Sequence, residues 1–121
     1  MIVVTCNHNR ITVHGHADYA EQGKDIVCAG ISAITQSFIV SVEELTDEQI
    51  KYDISPGRAD IYIGNPGEVA QLLIGSFLIG CRLVAEEYPE YVRIENNGNG
   101  LGLRAMSWGK EKERVNVKNY R

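Results

Sequence analysis

The clearest chemical potential in this sequence lies in a cysteine at the start of a predicted helix and a histidine in the loop before it. Asp25 is a residue type favoured as a helix N-cap, and the apolar positions after it keep helical spacing, which puts Cys28 in the first turn. The N–H groups and the positive end of the helix dipole stabilise a thiolate at that position. His16 begins a loop that must return to this helix end, so a nucleophile and its general base can meet there. The first-turn amides would then be available to an oxyanion.

Both residues also have ordinary structural interpretations. A single cysteine in a helix usually serves as a small core residue, and a single loop histidine is usually solvated. Another alternative is a zinc site formed by His14, His16 and Cys28, for which His8 or Cys6 would have to supply the fourth ligand. Because the sequence lacks the usual ligand spacing, we predict neither a metal site nor a cofactor.

Two residues near the cysteine are predicted to support it. Asp25 would accept from the Cys28 amide as an N-cap, or would orient His16 as a third catalytic member. The cap is favoured because the chain geometry demands it more directly. Ser32 lies one turn after Cys28 on the same helical face, and either hydrogen-bonds near the sulfur or lines the contact between helices.

The loop between the histidine and the cysteine is predicted to bind substrate and to move. Gly15 and Gly23 free its two ends, and it contains no apolar run that would anchor it. Tyr19 is its aromatic side chain and our candidate for covering a bound peptide, with simple packing as the alternative. We expect the free protein to sample open arrangements and substrate to close the loop.

These residues belong to a predicted β-β-α-β-β-α-β order. Turn sequences at 7–9 and 55–57 join strand pairs into hairpins. The predicted fold class is α+β, with a small mixed or antiparallel sheet and two helices packed on one face. The second helix is predicted to begin with Asn65 as N-cap and Pro66 at its first position. Its expected buried face consists of Val69, Leu72, Leu73, Phe77, Gly80 and Val84.

The 121 residues suggest one domain over 1–95, followed by a polar, basic extension over 96–121 that we expect to be weakly ordered. Six basic and two acidic residues give the extension a charge of +4, which leaves −8 on the rest of a chain whose total is −4. An acidic domain argues against nucleic acid as a partner and suits a basic peptide. We find no apolar run near the roughly 18 residues of a membrane span and no signal peptide, so a cytoplasmic protein without membrane contact is expected. An odd count of three cysteines argues against a disulfide framework.

The stretch from Gly15 to Ser32 resembles the signature of the ribosomal-processing cysteine protease (Prp) family. Every fixed position of the pattern G-H-A-x-Y-A-x-x-G-x-D-I-V-C-A-x-x-S is matched. Later segments at 43–45 and 85–92 are also similar to landmarks of that family. The resemblance covers residues 1–95, and so long a gapless motif is poorly explained by chance.

The resemblance implies a bacterial cysteine endopeptidase with Cys28 as nucleophile, His16 as base, and Asp25 and Ser32 at supporting positions. It implies a homodimer that removes a short N-terminal extension from a ribosomal protein by cutting after an aromatic residue. Similar phage proteins are expected to act on capsid or scaffold proteins, and the long extension after residue 95 makes a phage or prophage member a reasonable alternative. A non-catalytic dimeric binding protein and a metal-binding regulator are the other classes that we retain.

Overall fold

The computed structural model describes residues 1–21 and 23–96 and arranges them around one five-stranded sheet. The order β-β-α-β-β-α-β and the α+β class are confirmed. Apart from Asn96, which ends the last described strand, the predicted C-terminal extension lies outside the described residues. The elements are β1 (Ile2–Cys6), β2 (Arg10–His14), α1 (Ile26–Leu45), β3 (Ile50–Ser55), β4 (Arg58–Ile63), α2 (Glu68–Glu87) and β5 (Val92–Asn96).

The sheet is mixed, with the strand order β3-β4-β2-β1-β5. The hairpins β1–β2 and β3–β4 are antiparallel, and they join through an antiparallel pairing of β2 with β4. β5 follows α2 and pairs in parallel with β1, so that Val4 lies opposite Ile94. A parallel neighbour requires a long crossover, which α2 supplies.

The core lies between the two helices and one face of this sheet. Because side chains alternate along a strand, every second residue points at the helices. Those that are buried are Ile2, Val4, Cys6, Ile11, Val13, Ala59, Ile61, Ile63 and Val92. The helices contact each other through Phe38 and Phe77, whose ring centroids are 5.0 Å apart.

The buried face of α2 differs from the predicted one. Val69 and Leu72 are 53% and 72% exposed, so their prediction as core residues is wrong. The buried residues are Ala70, Ile74, Gly75, Phe77, Leu78 and Cys81. α2 is apolar around much of its circumference, so its spacing admits two stripes, and the sheet covers only one.

The start of α2 is also corrected. Its N-cap is Gly67, which provides no side-chain cap, and the predicted cap at Asn65 is wrong. The Gly67 N–H donates to Oε1 of Glu48 at 3.0 Å, which is a tertiary contact from outside the local sequence. A distant carboxylate therefore fixes a helix start that the local sequence placed two residues earlier.

Both helices are more apolar than the sequence-based expectation allowed. Each has 20 residues and a mean hydropathy of 1.6, which by length and composition alone is enough to cross a membrane. The prediction that no segment approaches that length is therefore wrong. The same composition occurs in core helices, and α1 and α2 pack against each other and the sheet.

Candidate active site

A cleft of about 720 Å³ lies between the start of α1, the loop before it and the β3–β4 hairpin. Cys28 and His16 both line this cleft, although they are 12 positions apart in the chain. The other predicted site residues that line it are Gly15, Gly23, Asp25 and Ser32. The structure thus brings together every predicted site residue except Tyr19.

The helix start is built as predicted. Asp25 has an extended backbone conformation, and its Oδ1 accepts the N–H groups of Val27 and Cys28, both at 3.0 Å. Asp25 is therefore the N-cap, and Cys28 lies in the first turn of α1. The Ala29 N–H donates to the Asp25 carbonyl oxygen. Because these three amides already have acceptors, the expectation that they are free for an oxyanion is wrong.

The Cys28 sulfur has a hydrogen-bond donor from the loop. The Ala17 N–H donates to Sγ at 3.4 Å, and Ala17 directly follows His16. Cys28 itself is half-buried, whereas Cys6 and Cys81 are buried. Burial raises the pKa of the Cys6 thiol to about 11 and that of Cys81 to about 12, which keeps both in the unreactive thiol form near neutral pH. Cys28 is thus the accessible sulfur of the three.

The carboxylate of Asp25 also holds the loop. Its Oδ2 accepts the N–H groups of Tyr19 at 3.0 Å and Ala20 at 3.4 Å, so one side chain binds both the helix start and the loop. Desolvation raises the pKa of Asp25, but hydrogen bonds from the Cys28, Tyr19 and Ala20 amides outweigh it and leave the pKa below the ordinary value of 3.8. A hydrogen bond with the Cys28 side chain lowers this pKa further, and none of the bonds described for the Asp25 carboxylate involves His16.

The His16 ring rests on the β3–β4 turn. A Cβ atom added to Gly57 would overlap Nε2 of His16, and Gly57 has a positive φ of 72°. The Gly15 N–H donates to the Gly57 carbonyl at 2.8 Å, which holds the loop beside this turn. The carbonyl of His16 accepts from the Met1 nitrogen at 2.6 Å. Gly57 therefore provides the space that the imidazole occupies.

Tyr19 packs away from the cleft lining. Its ring lies edge-on against Tyr88, with centroids 5.5 Å apart, and against Tyr91, at 5.2 Å. Tyr19 remains 42% exposed. This packing and the bonds to Asp25 anchor a loop that was predicted to have no anchor.

His14 is separated from the pair by its own partner. Its Nε2 lies 3.1 Å from Oδ1 of Asp60, whose other oxygen accepts from Nε of Arg58 at 2.6 Å. Across residues 1–21 and 23–96, no three His, Cys, Asp or Glu side chains are grouped so as to hold a metal ion. The hypothetical zinc site with His14, His16 and Cys28 therefore has no geometric support in this part of the chain.

Sequence reasoning missed four participants in this arrangement, namely the Ala17 amide, Gly57, Tyr88 and Tyr91. Ala17 lies within the motif, but a backbone donor has no residue-type signal. Gly57 was fully explained by its turn, and the two distant tyrosines follow α2. The one signal for the tyrosine contacts was Tyr19 itself, an aromatic residue in a loop that offers it no local packing partner.

Comparisons with known proteins agree with this geometry. A profile of the family described as "Cysteine protease Prp" matches residues 1–93. The ribosomal processing cysteine protease Prp of Staphylococcus aureus is 36% identical over 87 residues, covering 69% of this chain and 82% of that protein.

Two solved structures of the S. aureus protease have the same fold. One holds a covalently linked product peptide and superposes with a TM-score of 0.76 at 29% identity. The other holds a substrate peptide, with a TM-score of 0.71 at 28% identity. Each comparison covers 80% of this chain and 100% of the other.

Proposed function

The chain belongs to the cysteine protease Prp family, and from that membership we propose that it is an endopeptidase acting through Cys28 as nucleophile and His16 as general base. The observation that carries the proposal is the hydrogen bond from the Ala17 N–H to Sγ of Cys28. This bond ties the residue next to His16 to the sulfur, inside the cleft that both side chains line. A nucleophile and a base in one cleft are the elements of acyl transfer.

In the proposed reaction, His16 takes the thiol proton while Sγ bonds to the carbonyl carbon of the peptide. The carbonyl electron pair moves to its oxygen. We assign the Ala17 N–H as a donor to this oxyanion, because it points at Sγ while the Val27 and Cys28 amides are occupied by Asp25. The C–N bond then breaks, and the leaving amine takes the proton from His16. Water attacks the thioester, gives a proton to His16, and the C–S bond breaks. That proton returns to Sγ as the carboxyl product leaves.

Substitution of the two proposed catalytic residues tests this assignment. We expect Cys28→Ala and His16→Ala each to lower kcat/KM for a substrate peptide by at least about 10³-fold. His14→Ala is the matched control, because His14 is an exposed histidine two residues away that pairs with Asp60. Near-normal cleavage by Cys28→Ala would exclude this mechanism. If only His16→Ala stayed active, another base would have to be sought.

For the substrate, we propose the N-terminal segment of a ribosomal protein, cut after an aromatic residue. The relatives are named for ribosomal processing, and the two solved structures contain a product and a substrate peptide. The net charge of −8 over residues 1–95 suits a basic substrate. Such a substrate also places the enzyme in the cytoplasm. A phage capsid or scaffold protein is the second candidate, favoured by the chain that continues beyond the family match at residue 93.

A trapping experiment distinguishes these substrates. A Cys28→Ser variant keeps the cleft but has a weaker nucleophile, so we expect it to co-purify with uncut precursor. Mass spectrometry of the bound protein then identifies a ribosomal or a phage precursor. A non-catalytic binding protein would instead retain the same intact partner in wild-type and variant forms.

We further propose a homodimer formed through the exposed side of the two helices. A groove between them is lined mainly by small and apolar residues that include Ser37, Ser41, Leu73 and Ser76. Outside the groove, each helix also carries a large exposed apolar residue, with Leu72 72% and Leu45 65% exposed. We expect Leu72→Glu to shift the sedimentation coefficient from dimer to monomer. A wild-type protein that sediments as a monomer would refute the assembly without affecting the proposed chemistry.

A further inference from the structure

We propose that Tyr88 and Tyr91 are positioning residues for the active site. They hold the ring of Tyr19, and thereby keep the loop segment with His16 and the Ala17 N–H against Cys28. Neither tyrosine lines the cleft. The inference rests on the proposed function only for its kinetic measurement, since the position of the loop can be measured without catalysis.

The contact between the three rings has a favourable aromatic geometry. Tyr19 meets Tyr88 at an interplanar angle of 77° and Tyr91 at 79°, so both pairs are edge-to-face. Centroid distances of 5.5 and 5.2 Å are within the range in which such pairs attract beyond the effect of area burial. Tyr19 follows His16 by only three residues, so fixing its ring restricts the backbone of the segment between them.

The two tyrosines form a fixed support because backbone hydrogen bonds join both of them to the fold. Tyr88 ends α2 and donates its N–H to Val84, and its carbonyl accepts the N–H groups of Tyr91 and Val92. The carbonyl of Tyr91 accepts the Ile2 N–H at 2.8 Å, which joins this turn to β1. A ring packed on this turn is therefore fixed relative to the sheet and not only to the loop.

A second tie meets the first at Tyr19. Its N–H donates to Oδ2 of Asp25, while Oδ1 of the same carboxylate holds the Cys28 N–H. The backbone of Tyr19 is thus attached to the start of α1, and its side chain to the turn after α2. Asp18 and Ala20 on either side are exposed. On the N-terminal side, Ala17 is buried in the core and the His16 carbonyl accepts from the Met1 nitrogen. The rings and the carboxylate are therefore the contacts that hold the C-terminal side of the segment whose Ala17 N–H lies 3.4 Å from Sγ.

Removal of one ring should release this segment without unfolding the protein. An aromatic pair of this kind corresponds to about a 2- to 10-fold change in the equilibrium between closed and open loop. We expect Tyr88→Leu to raise hydrogen exchange of residues 17–20 by about that factor, and Tyr19→Leu, which removes both pairs, to raise it by more, with core amides unchanged. We also expect kcat to fall while KM stays within about twofold.

The controls separate positioning from bulk stability. Tyr19→Phe keeps the ring and should restore wild-type exchange and kcat. Tyr62→Leu removes a tyrosine on β4 that lies near Arg10, and should leave both measurements unchanged. Because Tyr19→Leu already removes the contacts with both partner rings, adding Tyr88→Leu to it should change little, so the two single effects must be less than additive.

Three results would overturn the proposal: unchanged exchange at residues 17–20 in Tyr19→Leu, an equal effect of Tyr62→Leu, or fully additive single effects. Tyr88 is half-buried, so Tyr88→Leu has a greater risk of misfolding. In that case the partly exposed pair Tyr19→Leu and Tyr19→Phe decides. A wild-type protein that cuts no peptide would refute the proposed function, while the exchange measurements would still decide on the tyrosines.

Discussion

Replacement of Asp25 by asparagine should separate the two tasks of this carboxylate. The one oxygen of the new amide side chain can still accept the N–H groups of Val27 and Cys28, and asparagine is as good an N-cap as aspartate. The amide nitrogen, however, is a donor placed against the donating N–H groups of Tyr19 and Ala20. We therefore expect helix content to persist while the loop loses its tie.

The size of the effect follows from the two lost bonds. A hydrogen bond to a charged group contributes about 1.5–3 kcal/mol net, but Tyr19 and Ala20 are exposed, so water replaces part of the loss. We expect the free energy of unfolding to fall by about 1–3 kcal/mol, as measured by urea denaturation followed by circular dichroism. A change below about 0.5 kcal/mol would refute this account of the loop.

The stability that Asp25 contributes should depend on pH with a definite sign. The pKa of folded Asp25 lies below 3.8, so its contribution to stability is complete above that value and is lost as pH falls through the lower, folded pKa. The difference in the free energy of unfolding between wild type and Asp25→Asn should accordingly be constant near neutral pH and disappear in acid. A difference that persists at the lowest pH would show that the ionised form of Asp25 is not what holds the loop.

The activity of Asp25→Asn distinguishes a carboxylate that only holds the loop from one that acts as a third catalytic member. Loss of a residue that orients the general base costs on the order of 10⁴-fold in kcat in serine proteases. A loosened loop should cost about tenfold or less, since a closed arrangement is still reached. A loss near 10⁴-fold would assign Asp25 to the catalytic apparatus despite its bonds to backbone amides.

Three further changes test other parts of the structure. Gly57→Ala should lower kcat/KM by at least about tenfold because its Cβ overlaps the His16 ring and its φ is positive, and normal kinetics would contradict that contact. Iodoacetamide at neutral pH should label Cys28 before the other two cysteines, whose pKa is raised by burial to about 11 and 12; equal labelling in peptide mass spectra would contradict this. Truncation after Asn96 should keep a cooperative thermal transition because the described core closes without later residues, and loss of that transition would show a structural role for them.

Features that depend on local sequence were predicted correctly. Asp25 caps α1 because its own side chain reaches the next amides, and Ser55–Arg58 makes a turn because glycine follows proline there. The element order follows from such signals and from hydrophobic period. The same locality explains why Cys28 could be placed in a first turn from sequence alone.

Features that depend on distant partners were not predictable in this way. α2 offers two apolar stripes, and only the position of the sheet decides that Ile74 is buried and Leu72 exposed. The start at Gly67 depends on Glu48, and the anchor of Tyr19 lies about 70 residues further along the chain. Each of these is set by tertiary contacts that no local pattern contains.

The parallel pairing of β1 with β5 has a consequence for the order of folding. Ile2 lies opposite Val92, so this pairing closes a loop of about 90 residues, and contacts of such sequence separation form late. Tyr88 and Tyr91 stand immediately before β5, and Tyr91 is bonded to β1. We therefore expect a nascent chain that has not yet released β5 to contain Cys28 on a formed helix but to lack the anchor of the neighbouring loop. A fragment ending at residue 87 should accordingly exchange its loop amides freely. Synthesis of β5 would then complete both the described sheet and the cleft, so that a chain ending before β5 would be an inactive one.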